Sequence, residues 1–410
     1  MPRLLLGFGL ALCLTASAGA LELGHADECV LQAASPYDPA TPQGQGVMLE
    51  DIAAEAAISA CEAALADAPD DPALQYHLGR AHDAAGNFEQ AVALYSSAME
   101  AGHHIAAVSL AGLYEFGLGV DEDLAEAFRL YQLAYDRSAL PIAAANLGYA
   151  HEYGLGVAAD KTQAVHYYTI ADAGGISWAT VSLGYLYEMG EGVAADPVKA
   201  VALYRKAAKQ GNPDAINNLG AAYENGLGGL TRSIDRAIAL YEQAADGGSS
   251  MAHLNLGNMY SLGREGVAID VARAEHHFVA AIEMGPDDVT AAAQNGLAWQ
   301  LAITGGDLTR AEELAGAALA HDADDASVLD TLGWIEHLQG DDAAALVHLE
   351  KAAKLKPATT QFAHLGDVQL ALGDADGARA SYEAALAAMP EGYADPSVDP
   401  KAIARYLADN

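Results

Sequence analysis

The chain has 410 residues and a formal net charge of −36, from 56 acidic and 20 basic side chains. So negative a surface repels nucleic acid and anionic lipid headgroups at long range, which excludes both as general partners. Three cysteines without a CxxC spacing give no zinc framework.

In chain order, residues 1–20 come first. Arg3 supplies a positive start, Leu4 to Leu14 an apolar run, and Ala18 to Ala20 an Ala-x-Ala end. That is the layout of a cleavable secretory signal. The run is shorter than the roughly 20 residues a membrane span needs, so no stable membrane insertion is expected. Bulky Leu12 before Cys13 argues against a lipoprotein anchor. A mature chain from about Leu21, periplasmic or secreted, is the expectation, and it keeps Cys29 and Cys61. An even pair in an exported chain reads as one disulfide. Closing a loop of about 32 residues stabilises by roughly 3–4 kcal/mol in the chain-entropy model.

From residue 105 to 287 one unit recurs. Leu110, Leu147, Leu183, Leu219 and Leu256 mark its copies, followed by Gly148, Gly184, Gly220 and Gly257 in the last four. Loop glycines come next (Gly117, Gly154, Gly190, Gly226, Gly263), then a second helical stretch with small and bulky residues on one face. Ala164/Tyr168/Ala171 and Ala237/Tyr241/Ala244 show that spacing. Two helical patterns per period of this length predict an all-α protein, an α-solenoid whose antiparallel helix pairs bury their apolar faces by stacking. The phrases "YEFGLGV", "EYGLGV" and "YEMGEGV" carry the loop glycines. No strand-like run precedes them and no GK[ST] ending follows, so these glycines are turn residues and not a phosphate cradle.

These residues resemble the SEL-one-like repeat (SLR) family: the Leu-Gly pair, a Tyr-Glu pair such as Tyr187-Glu188, "GxGV", then Ala and Tyr on the second helix. Five copies cover 105–287. His151 and Ser261 depart from the pattern, and "LGREGV" carries one extra residue, so a bulged turn is expected there. Outside this block the chain resembles the tetratricopeptide repeat (TPR), with Leu78, Gly79, Tyr95 and Ala98 in one copy. Leu332, Gly333 and Ala352 mark another, Gly366, Tyr382 and Pro390 a third, and a looser copy runs through Trp299 and Ala311. The resemblance implies a right-handed superhelix with one TPR-like repeat at 71–104 and three at 288–392. In the TPR register Ala57, Cys61, Ala64 and Pro69 match a second helix whose first helix is missing, because "SPYDPATPQGQG" is a loop. The stretch around Cys29 is expected to replace that helix, pinned by the disulfide, so that 21–70 caps the stack. Residues 393–410 are a tail or a second cap.

Residues that carry chemistry are scarce. "HEYGL" lacks the second histidine of a zincin helix, and His103-His104 and His276-His277 are neighbours that point apart on a helix. "GDADGAR" lacks the ligands of a calcium loop. No GxSxG elbow is present, so no catalytic residue, metal or cofactor is expected. Glu115, Glu152, Glu188 and Glu224 recur where they oppose a helix dipole, so each should find a donor in the adjoining turn.

What remains is binding. In TPR-like repeats, first-helix residues five before and two after the leucine tend to face the groove. Tyr149, Trp178, Tyr185, Asn217 and Asn258 are the candidates, rings and amides suited to an extended peptide. Ordinary packing between repeats is the competing role for each. The resemblance implies a non-enzymatic adaptor or regulator of the bacterial periplasm or envelope, with a protein or peptide as partner. Alternatives are a scaffold for an envelope or polysaccharide-secretion assembly, and an enzyme like the cysteine-rich SLR branch associated with β-lactams. That branch carries disulfides within its repeats, and these repeats hold no cysteine.

Overall fold

A computed structural model describes residues 24–42, 46–263, 266–393 and 395–409. The leader at 1–20 lies outside them, as do Arg264 and Glu265 of the turn expected to bulge. Among the described residues the regular structure is entirely helical. The chain divides into two compact units, one ending at Gly174 and one beginning at Gly175.

The first unit opens with α1 (His25–Ala33), α2 (Ala54–Asp67), α3 (Pro72–Ala84) and α4 (Phe88–Glu100). It continues through α5 (Ile105–Phe116), α6 (Leu124–Ser138), α7 (Pro141–Tyr153) and α8 (Lys161–Ala173). Helix α1 packs on α2 and α3, the place of a first helix, and Cys29 and Cys61 are joined with their Cα atoms 4.6 Å apart. Both cysteines are fully buried, in one cluster with Ile52, Leu74 and Leu78. A nine-residue helix is too short to hold itself in water. The disulfide and this apolar contact fix it.

The second unit contains α9 (Ser177–Met189), α10 (Pro197–Lys209), α11 (Pro213–Asn225), α12 (Ile234–Asp246), α13 (Ser250–Leu262) and α14 (Val271–Met284). After these come α15 (Asp287–Ile303), α16 (Leu308–His321), α17 (Ala326–Gln339), α18 (Asp342–Leu355), α19 (Thr359–Ala371), α20 (Ala375–Ala388) and α21 (Pro400–Asp409). Each helix packs on the next. The first helices also touch one another along the unit, α9 on α11 through to α17 on α19. They therefore form the inner layer, and the second helices the outer one. Helix α21 packs at the far end, where Ile403 and Val398 bury against Tyr382 and Ala385. Both units are α-solenoid stacks.

Three local devices repeat. The glycine after the repeat leucine leaves room for the ring of the second helix. A Cβ on Gly148 would lie 2.6 Å from Tyr168, and one on Gly220 2.8 Å from Tyr241. Fully burying such a ring stabilises by about 1.5–3 kcal/mol, so the glycine's own helix penalty is offset. The two loop glycines do different things. Gly154 ends α7 in the left-handed region at φ 75°, whereas Gly156 sits so close to the preceding repeat that a Cβ would meet the Leu124 carbonyl at 2.0 Å.

The third device is acidic. Asp123, Asp160, Asp196 and Asp270 each cap the following helix by accepting a backbone N–H, and Ser233 does so in the fourth copy. The recurrent glutamates do find donors, one of them on the opposing helix. The hydroxyls of Tyr131, Tyr168, Tyr204 and Tyr241 donate to Glu115, Glu152, Glu188 and Glu224 at 2.7–2.8 Å. Burial first, then the hydrogen bond to the carboxylate together with its charge, raises the phenols of Tyr131, Tyr204 and Tyr241 far above their usual value. The fifth copy loses both partners together, with Ser261 in place of glutamate and Phe278 in place of tyrosine. Much of the chain's acidity therefore has local structural work.

Candidate protein-binding groove

In the second unit the inner layer presents the first-helix side chains, and in both units the repeat leucine fixes the register of the first helix. Two residues after it, Tyr149 on α7 and Tyr185 on α9 are 41% and 46% exposed. Tyr149 lies against Tyr153, their ring centroids 4.7 Å apart. Trp178 on α9 is half-buried, and so is Asn258 on α13. Asn217 differs. It lies two residues before Leu219, not after it, and is only 3% exposed. Its amide oxygen accepts from Asn255 Nδ2 at 2.9 Å, and its Nδ2 donates to Asn218 at 3.2 Å. That position is buried in other copies too, as Tyr76, Leu254 and Asp330. Asn217 thus joins helices from within the stack.

Two sets of groove residues were not singled out from the sequence. One residue before each leucine stand Ser109, Asn146, Ser182, Asn218 and Asn255, all polar and half-buried. Six residues after it stand Phe116, Tyr153 and Met189, exposed apolar side chains just before the loop glycine. The apolar letter before "G" in "EFG", "EYG" and "EMG" was the available signal.

A cleft of about 520 Å³ opens between α13, α15 and α17, lined by Asn258, Asn295, Asp288, Asp325 and Ser327. The Oδ1 of Asn295 is buried there without a hydrogen-bond partner. In the first unit a second, more apolar cleft of about 290 Å³ is lined by Tyr37, Met48, Phe116, Leu118 and Ile142.

The end of each unit carries a buried polar network. In the first, Arg80 donates from both terminal nitrogens to the carbonyls of Ala33 and Val47 at 2.7 Å, holding the segment after α1. Asp38 of that segment lies 3.0 Å from His103 Nε2. Burial raises the Asp38 carboxyl, but His103 and the Ala40 N–H outweigh it and hold it below its usual value. His77 beside it is buried, its Nδ1 unpartnered, and burial lowers its imidazole to about 4 against the pull of Asp38.

This predicts an acid-sensitive first unit. An unfolded histidine takes up its proton near pH 6.5, the folded one near 4, so the unfolded state binds more protons between these values. Stability is full above about pH 6.5, falls toward about pH 4 by on the order of 3 kcal/mol, and levels below. His77→Gln should flatten that slope in hydrogen exchange of α3, with Asp38, His103, Arg80 and Asp71 unchanged around it. A slope equal to wild type would exclude His77 as its source.

In the second unit His364 is fully buried, stacked on Trp334 at 4.2 Å. Its Nδ1 lies 3.1 Å from both Asp330 oxygens and its Nε2 2.9 Å from Ser397 Oγ. The order Asp-His-Ser has the outline of a hydrolytic triad. However, the Ser397 hydroxyl also donates to Asp395. It has one proton, and a carboxylate takes it, so the array is wired to fasten the C-terminal segment. Elsewhere His253 and His277, far apart in sequence, bring their Nδ1 atoms to 3.0 Å. Burial first lowers both imidazoles, His277 to about 4. Among the described residues no group of three or more His, Cys, Asp or Glu side chains could hold a metal ion.

A helical stack with a side-chain-lined inner layer defines the class: a protein-interaction scaffold of the α-repeat kind. The Sel1 repeat model matches residues 104–138, 141–171, 179–212, 213–249, 250–286 and 333–357. A tetratricopeptide repeat model matches 48–112. The chain is a Sel1-like and tetratricopeptide repeat protein. The last Sel1 match falls within the stretch that reads as TPR-like, a reminder that both are one helix-pair build. Among solved structures, a Sel1 repeat protein from Oxalobacter formigenes is 27% identical with a TM-score of 0.53, over 60% of this chain and 98% of that one. The antigen c5321 of uropathogenic Escherichia coli, with an SLR fold, is 22% identical with a TM-score of 0.44, over 91% and 90%. Comparison with curated proteins gave no match.

Proposed function

We propose that the protein is an exported, non-enzymatic adaptor or regulator of the bacterial periplasm or envelope that holds a protein or peptide segment along its first-helix groove. The observation that carries this is the row of polar, half-buried side chains one before the repeat leucine in the second unit, Ser182, Asn218 and Asn255, beside exposed Tyr185. An amide acceptor there suits a backbone N–H of an extended chain, which has one to offer at almost every residue. Exposed Tyr185, with Trp178, supplies contact area at low entropic cost on α9 of the second unit, and Tyr149 does so separately on α7 of the first. Export is supported by the leader pattern at 1–20 and by the disulfide, a bond that persists in oxidising compartments. Among the described residues no helix is long and apolar enough to cross a membrane. Affinity capture from envelope extract tests the reading. One stoichiometric signalling partner supports an adaptor, a set of secretion components supports the scaffold alternative, and the absence of any stoichiometric partner counts against both.

A further inference from the structure

The chain already places two of its own segments on its first helices, and the two are alike. One is Ser35-Pro36-Tyr37-Asp38-Pro39; the other contains Tyr393, Asp395, Pro396 and Ser397. Three other Asp-Pro pairs, at 71–72, 196–197 and 399–400, open helices. These two open none. Each forms a turn instead, in which the aspartate Oδ1 accepts the backbone N–H two residues on, from Ala40 at 2.9 Å and from Ser397 at 3.0 Å.

The second turn rests on groove positions, and the first lies against the residues around α3 and the start of α5. In the first unit, Asp38 meets His103, and His77, one before the repeat leucine, is buried beneath the segment. In the second, Thr360 and His364 stand five and one before Leu365. Thr360 Oγ1 bonds Tyr393 at 2.7 Å and Asp395 at 3.1 Å, and His364 meets Ser397. The same one-before position is half-buried in the central repeats, as Asn146, Ser182, Asn218 and Asn255. At the C-terminal end His364 is fully buried, with Ser397 of the turn on its Nε2.

We propose that the seat at Thr360 and His364 is a docking site for a partner segment carrying a tyrosine followed by an Asp-Pro turn, with the C-terminal segment as its built-in occupant. This rests on the groove reading and names the chemistry of the partner. A tethered segment acts at an effective concentration in the millimolar range, so a free peptide competes poorly until the tethered copy is weakened.

The probe is a labelled peptide of sequence EGYADPSVDP, titrated against the full chain. Asp395→Ala with Ser397→Ala should bind it at least roughly tenfold tighter than wild type does, because the tethered competitor is lost. Adding Thr360→Val, which removes the bonds to Tyr393 and Asp395 without changing side-chain size, should cancel that gain. A folded variant that binds the peptide no better than a scrambled one would overturn the proposal. Wild type supplies an independent reading should the variant misfold. Millimolar peptide should raise hydrogen exchange in α21, and unchanged exchange contradicts the proposal. A wild-type dimer that exchanges α21 between copies would assign the seat to a second copy and overturn the partner reading. Peptide failure while a captured partner still binds sinks this inference alone. Failure of the groove as a whole shows instead as partner binding indifferent to Trp178 and Tyr185.

Discussion

Cys61→Ser is expected to loosen the N-terminal cap while leaving the rest of the first unit folded. Removing a native disulfide from a small element costs about 2–5 kcal/mol, and here the element is a nine-residue helix with little else to fix it. Arg80 adds two bonds to the segment after α1, so the cap should stay associated but exchange its amides faster. In a solenoid each repeat leans mainly on its neighbours, so protection should fall in α1 and α2, less in α3, and hardly in α6 to α8. Hydrogen exchange with and without reductant reads this directly. Two free thiols in denatured, unreduced protein would end the idea.

The repeat was legible because its physics is local. A leucine, a glycine and a ring at fixed spacing specify two helices and their contact within one period, and Gly148 against Tyr168 shows why the glycine is needed. The Cys29–Cys61 pairing was legible for the same reason: Cys61 occupies a register position whose partner helix was missing, and α1 packs there. The glutamate donors were half legible. The need followed from the helix dipole, and one donor is the tyrosine on the opposing helix, which the same repeat pattern contains.

Long-range, single-copy contacts were not legible. His253 and His277 meet across two helices with no periodic signal. Asp38 and Ser397 lie in Pro-rich stretches that read only as loops, yet each folds back onto a first helix. Asn217 was placed by residue type where register should have decided. One residue's shift along a helix turns a side chain by about 100°, enough to carry it from groove to core.

The measurement closest to the central claim is paired: affinity for a captured partner, and thermal unfolding, for Trp178→Ala with Tyr185→Ala. Both residues lie on α9, Tyr185 exposed and Trp178 half-buried. Truncating aromatic anchors at an interface costs about 2–4 kcal/mol of affinity at a hot spot. Truncating an aromatic in a packed core costs about 3–5 kcal/mol of stability. The losses are of similar size and appear in different assays, so the pair separates the roles cleanly. A groove that recognises its partner through these rings gives a binding loss of roughly 30-fold or more with the unfolding transition nearly unchanged. A variant that melts much earlier yet binds normally once folded would contradict it, and would make both rings part of the packing between repeats.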